Sequence, residues 1–405
     1  MTVFDGTIVL VALILTGFSL APKVRENPWW QATVTPLASI IGSGFLVIAP
    51  LLAAVAGSLA VAAMLIIVVL AFAIGHVIRF NIRNSEKLEV TPIGSRNLLF
   101  AARISNVSLS IAYIISVAFY IRLLASFALS MTPFAGDTTE GILATTILVS
   151  IGVVGWRKGL KGLELVETVS VSIKLAIIIA LLFALLAYNV DNGVWNADLP
   201  KSELDLLTRL RMLGGMLLVV QGFETSRYLG GSYPAAMRAR TMLWAQVSSA
   251  VIYLLFVALI LPVLIYLPAE TADDTAIISI SGNVAWVLPF LLIFAALMSQ
   301  LSAGIADTVG AGGLVVEETG NRVSERLAYP VLIAFSIALI WLFDIFEVIA
   351  IASRTFAFYY MMQVVIAIIV TRKLLTGHKR MQQTIWFSLL AVILALVVVF
   401  ALPVE

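Results

Sequence analysis

The chain has 405 residues, 61% apolar and 12% charged, with a formal net charge of +2. Soluble domains run nearer half apolar and a quarter charged, so this composition excludes an ordinary water-soluble fold and makes lipid part of the solvent. Cysteine is absent and the only histidines are His76 and His378, which excludes disulfides, thiolate chemistry and a histidine-rich metal site; no basic arm or aromatic-spaced basic patch points to nucleic acid.

A bilayer core of about 30 Å takes about 20 apolar residues per helix. In chain order, such segments fall near 5–22, 33–56, 58–80, 99–131, 138–156, 162–189, 207–230, 240–267, 283–312, 325–344, 346–372 and 383–403. They predict an all-α polytopic membrane protein of about twelve transmembrane helices, with no linker long enough for a second soluble domain. The first segment has the length of a signal peptide, but MTVFDG lacks a positive n-region and no small-residue cleavage site precedes Lys23. It is read as a retained helix.

Basic residues orient the spans. With the N-terminus outside, cytoplasmic loops receive Lys23 and Arg25, then Arg79, Arg83, Lys87, Arg96 and Arg103, then Arg157, Lys158 and Lys161. Later ones receive Arg227, Arg238 and Arg240, then Arg322 and Arg326, and finally Arg372, Lys373, Lys379 and Arg380, so most of the 25 Lys and Arg fall on one side. Lys201, Arg209 and Arg211 lie opposite, where acids such as Asp137, Glu140, Asp191, Asp198, Glu270, Asp273 and Asp274 collect. Both termini are expected outside an inner or plasma membrane.

Two spans carry small-residue interruptions, the cue for a binding site where membrane helices unwind. The second contains Ile40-Ile41-Gly42-Ser43-Gly44-Phe45, with Pro50 beyond. Five spans later stands Val220-Gln221-Gly222-Phe223-Glu224-Thr225-Ser226, after Gly214-Gly215. A break frees backbone groups and is tolerated only where they line a cavity. The half-helix after Gly44 would aim its positive end at a carboxylate, and carbonyls beside Gly222 would suit an ammonium. The alternative for each glycine is close helix packing.

These segments and their separation resemble the amino acid–polyamine–organocation superfamily, whose members share the LeuT-type 5+5 inverted repeat. In that resemblance the stretch Ile41 to Gly44, within IGSGF, binds a substrate carboxylate through backbone amides, and Gln221 to Glu224 bind the amine. It extends to Tyr233-Pro234-Ala235-Ala236-Met237-Arg238 and to Gly159-Leu160-Lys161 with Lys174 thirteen residues later, and spans roughly residues 33–373. The implied division is an extra helix and loop at 1–32, core helices 1–5 at 33–203, core helices 6–10 at 204–376 and a final helix at 377–405. The extra leading helix, with Met298-Ser299-Gln300-Leu301-Ser302 and Glu224-Thr225-Ser226-Arg227, is similar to the sodium/solute symporter family of the same fold.

Ionisable groups inside a membrane are functional candidates by default. The depth of Lys174 in its span argues against snorkelling, which leaves a functional role or a structural pair. By the resemblance its ammonium stands where sodium sits in coupled relatives, bridging the first and eighth core helices and available as a proton carrier. Asp307 is a candidate partner for Lys174, for a coupling cation, or in a structural pair. Ser299 and Ser302 would be hydroxyl ligands for sodium if Lys174 points elsewhere, or would bond their own helix. Glu224 would couple protons, gate, or brace the broken helix. Arg354 would meet an anionic substrate or an acid such as Glu347, and Arg122 a structural partner near the outer rim. Phe223 is the aromatic gate candidate, with Phe45 and Tyr113 looser ones.

The reading is a secondary active transporter, not an enzyme, moving a small amino acid or related organic cation or zwitterion by alternating access. It is sodium-independent and coupled to protons or exchange, and needs no cofactor. The alternatives are a sodium-coupled symporter of a small organic solute and a transporter-like ligand sensor. Substrate identity, transport direction and oligomeric state are not readable.

Overall fold

A computed structural model describes residues 2–42, 44–89, 96–160, 164–194, 202, 204–266 and 275–404. Ordered from the N-terminus, the helices are α1 (Val3–Leu20), α2 (Pro22–Arg25), α3 (Pro28–Gly42), α4 (Ile48–Ala56), α5 (Ala60–Glu89), α6 (Arg96–Leu129), α7 (Asp137–Lys158) and α8 (Glu164–Asn192). There follow α9 (Leu206–Gly215), α10 (Thr225–Tyr228), α11 (Ala235–Ile260), α12 (Ala276–Ser281), α13 (Leu288–Glu318), α14 (Glu325–Leu342), α15 (Ile345–Leu374) and α16 (Gly377–Phe400). No strand occurs among the described residues. A lipid solvent demands this, because a helix satisfies its backbone within one segment.

Among the described residues, ten continuous helical runs are long and apolar enough to cross a membrane. The spans expected at 33–56 and 207–230 are not continuous. The first is split between α3 and α4, and α4 runs through a 3₁₀ turn at Gly57–Leu59 into α5, giving one apolar run from Ile48 to Ser85. The second is split into α9, a 3₁₀ turn at Leu217–Val220 and the short α10.

Helix starts follow local capping chemistry. Thr2 and Asp5 form a reciprocal capping box on α1, and Asp344 and Glu347 form another on α15. Asp205 caps α9 through the amides of Leu207 and Thr208 at 3.0 and 3.1 Å; hydrogen bonds from Thr208, side chain and backbone, hold its carboxyl below the usual carboxylate range.

Helix α6 is the central post, packed against α13 and α15, while α11 packs on α3 and α5. Gly304 and Gly310 let α13 close on Ile121 and Tyr113 of α6. Helices α1 and α16 lie at the margin. Only Asp5, Ile8 and Ala12 of α1 and Phe387, Leu390 and Leu394 of α16 are buried, while Leu13, Phe18, Leu389 and Val399 are more than 60% exposed. In water these stripes would be a liability, and in a bilayer they are the lipid-facing surface. Helix α1 is fixed against α8, and its buried Asp5 accepts the Val287 amide at 3.2 Å, just ahead of α13.

At the second break, Gly222 has φ +115°, and a Cβ there would overlap both the backbone and the side chain of Ser39 on α3. Only glycine permits this conformation and this approach together. Gly222→Ala is therefore expected to lower stability by about 2–5 kcal/mol, from backbone strain plus overpacking. Gly231→Ala, where a Cβ meets nothing within 4 Å, should stay within about 0.5 kcal/mol. Thermal unfolding of the two variants in one detergent checks the pair, and equal midpoints would refute the contact.

Candidate functional site

Where a helix breaks, the last carbonyls and first amides of its halves lose their partners. At the first break Gly44, with φ +145°, turns the chain so that its carbonyl accepts the Val47 and Ile48 amides at 3.0 Å and starts α4. The Gly42 carbonyl accepts from the side-chain amide of Gln300 on α13 at 3.1 Å. The hydroxyl of Tyr253 on α11 lies 2.9 Å from the Ile40 carbonyl and 2.7 Å from that of Val219. One buried phenol thus serves both breaks and ties them to the same helix.

At the second break the Glu224 carboxylate bends back on its own segment. Its Oε2 accepts the Gly222 amide at 2.9 Å and the Tyr360 hydroxyl at 2.8 Å. Thr225 donates its hydroxyl to the Gly222 carbonyl at 2.7 Å, and Gln221 donates its amide to the Tyr120 hydroxyl at 3.0 Å. Ser353 donates to the Gly215 carbonyl at 2.6 Å, and Arg238 Nη1 to the Arg227 carbonyl at 2.8 Å, capping α10. These contacts of Glu224 brace the broken helix.

Not every polar atom is consumed. Gln221 Oε1, Glu224 Oε1 and Gln300 Oε1 are buried and have no hydrogen-bond partner. A buried acceptor left open costs about 1–3 kcal/mol. Three of them lie on residues beside the two breaks, and the Ser226 hydroxyl nearby is open as well.

A cavity of about 630 Å³ lies beside the breaks, but Gly42, Gly44, Gln221, Gly222, Glu224 and Gln300 do not line it. Thr35 and Ser39 of α3, Tyr113 of α6, Lys174 of α8 and Thr225 and Tyr228 of α10 face it. Along α13 it extends from Ser299 past Ser302 and Asp307 to Glu317, about 27 Å of helix. Lys174 and Ser299 at one end are buried, whereas Tyr228 and Glu317 at the other are exposed. Beyond the breaks the packing is closed by aromatics. Phe45 lies 4.3 Å from Phe256 between ring centroids, and Phe223 stacks on Tyr360 at 5.4 Å and 15°. Neither Phe223 nor Phe45 lines the cavity; Tyr113 does.

Lys174 is 4% exposed. Its ammonium donates to the Ala38 carbonyl of α3 at 2.8 Å and to the Ser299 hydroxyl of α13 at 3.1 Å. The sequence-derived bridge between these two helices is present, and Gly42 packs beside it, since a Cβ there would lie 3.5 Å from both Lys174 Nζ and Ser299 Oγ. Ser299 therefore faces a cation supplied by the chain. Asp307 accepts a hydrogen bond from Ser116 of α6 and stands about 12 Å along α13 from Ser299. Ser302 lines the cavity; Ile41 is buried in the apolar core and does not line it. Ser43 and Lys161 lie outside the described residues.

The two arginines separate clearly. Arg354 meets neither Glu347 nor the cavity. It donates to the Ala401 carbonyl past the end of α16, because the chain there folds back over α9, with Arg211 donating to the Phe400 carbonyl at 2.9 Å. Glu347 is occupied in the α15 capping box. Arg122 pairs with Asp137 at 2.9 Å and Glu140 at 3.5 Å, a structural cluster.

Sequence reasoning passed over Tyr253, Tyr360, Gln300 and Ser39. Only Gln300 left a signal, inside the Met298–Ser302 segment; a tyrosine in an apolar helix reads as packing.

A sequence family described as APC superfamily transporter matches residues 22–401. A protein of Aquifex aeolicus (strain VF5), named only "Uncharacterized protein", is 42% identical over 408 residues, covering 100% of this chain and 98% of its own.

Removing the Tyr253 hydroxyl leaves the Ile40 and Val219 carbonyls without their shared donor. Tyr253→Phe is expected to reduce stability by about 1–3 kcal/mol, read as a lowered unfolding midpoint in detergent. An unchanged midpoint would show that those carbonyls are satisfied some other way.

Proposed function

Because the chain belongs to the APC superfamily of transporters, and so is a membrane-embedded secondary transporter of a small molecule, we propose that it carries an amino acid or related zwitterion by alternating access. The observation that carries this reading is the Lys174 ammonium, which joins α8 to α3 and α13 at the buried end of the cavity. A fixed internal cation holding Ser299 supports coupling to protons or to exchange rather than to sodium. It does what a hard metal ion would do, drawing oxygen atoms of two helices together, and a positive charge strengthens both hydrogen bonds.

The chemistry around the breaks suits a zwitterion. In this proposal backbone amides beside Gly44, ahead of α4, would meet a carboxylate, while the open oxygens of Gln221, Glu224 and Gln300 would suit an ammonium. In this proposal the halves 33–203 and 204–376 are the two inverted repeats, with α3/α4 and α9/α10 as their discontinuous first helices. The first two helices of each half would rock against the rest. With the N-terminus outside, the cavity opens to the cytoplasm and the aromatic closure at Phe45 and Phe223 faces out.

Lys174→Met keeps an unbranched side chain, one atom shorter, and removes its charge. In proteoliposomes, uptake of an amino acid substrate driven by a pH gradient is expected without sodium, and the variant is expected to lose it by about tenfold or more. A thermal-shift panel of amino acids and amines, in sodium or choline chloride, identifies the substrate first, because a ligand of the native state raises apparent stability. Uptake that requires sodium and is indifferent to Lys174→Met would overturn the proton-coupled reading and favour sodium at Ser299 and Ser302.

A further inference from the structure

A second hollow lies far from the breaks, between α5 and the start of α16. It measures about 710 Å³ and is lined by His76, Leu375, Lys379, Gln382, Gln383 and Trp386. We propose that this groove holds the headgroup of an anionic phospholipid, with the lipid phosphate beside Lys379 and the glycerol region against Trp386.

Three observations lead there. The first is charge. From the end of α15 into α16 the chain carries Arg372, Lys373, His378, Lys379 and Arg380, and no acid lies between Thr371 and Glu405. The groove itself offers an ammonium, two carboxamides and an indole, and no carboxylate. Such a set donates to phosphate oxygens without a competing negative charge.

The second is depth. Lys379 sits in the first turn of α16 and Trp386 about 10 Å further along the helix. That interval matches the headgroup layer, about 5–7 Å on each side of the hydrocarbon core, with the first carbons below it. Trp386 is 40% exposed, and the His76 ring meets it edge-on at 5.3 Å, giving the groove an aromatic floor. Exposed indoles at this level are the usual membrane-interface anchors.

The third is continuity. Beyond Trp386 the exposed surface of α16 is apolar, through Leu389, Val392 and Leu396. A free anion would use the basic end and leave that surface untouched, whereas a phospholipid uses both. The distribution of Lys and Arg places this end of α16 on the cytoplasmic side, where the leaflet is rich in anionic lipid.

The test uses the full chain in detergent, titrated with phosphatidylglycerol, phosphatidylcholine or glycerol 3-phosphate and read by native mass spectrometry. Phosphatidylglycerol is expected to bind at least about fivefold more tightly than phosphatidylcholine. Lys379→Gln should lower the phosphatidylglycerol affinity about fivefold, the effect of one basic residue at a membrane surface. Arg157→Gln, an exposed charge at the end of α7, should leave it unchanged. Equal binding of the two lipids would overturn the proposal, as would equal losses in the two variants, which would mean diffuse attraction. Displacement of the lipid by glycerol 3-phosphate would mean a soluble-anion site and would overturn it too.

Discussion

Inside a membrane, a backbone amide or carbonyl that leaves its helix has no water to receive it, and each such group costs several kcal/mol. This chain leaves its helices twice, at Gly42–Val47 and between Gly215 and Thr225. Much of the polar chemistry in the interior answers that constraint. Tyr253, Gln300, Ser353 and Arg238 each donate to a carbonyl beside a break or at the end of the short α10. Glu224 accepts the amide of Gly222. The apolar remainder of α6, α11, α13 and α15 is the frame that brings those side chains to the right height.

Buried charge follows the same logic at higher stakes. An ammonium in low dielectric must be held by good acceptors, and Lys174 receives a helix carbonyl and a hydroxyl from two different helices. Its contacts hold α3 to α13 through a side chain rooted in α8. Any loss of that charge would leave the Ala38 carbonyl and Ser299 facing an amine with less reason to stay. The position of the lysine and the position of the first break are therefore one structural fact, seen from two helices.

The sequence disclosed the elements that depend on composition and on local chemistry. Long apolar runs became helices because a lipid solvent selects for them, and both interruptions fell at Gly-rich segments because positive φ at Gly44 and Gly222 admits little else. Lys174 was legible because a charge far from either end of an apolar span has few innocent explanations. Tyr253 and Tyr360 were not, because their roles come from carbonyl and carboxylate groups more than 30 residues away in the chain, and periodicity carries no trace of such partners. Arg354 was misassigned for a related reason: its acceptor belongs to a tail that folds back across α9. Phe223 follows the hinge glycine as a gate would, yet Tyr360 gives it a stacking partner away from the cavity, a matter of tertiary packing alone.

The open oxygens of Gln221, Glu224 and Gln300 belong to residues that already use another atom to hold a break. Gln221 spends its amide on Tyr120, Glu224 one oxygen on Gly222 and Tyr360, and Gln300 its amide on Gly42. Each side chain is thus oriented by one end, with the other end a buried, open acceptor. Pre-orientation of this kind lowers the entropy that a ligand's donors must overcome on binding. A region that needed only to survive in lipid would be more stable with those acceptors filled or replaced by carbon. Open acceptors also occur away from the breaks, at Asn81 and Asn189, so what sets these three apart is that each sits on a side chain whose other atoms already hold a break.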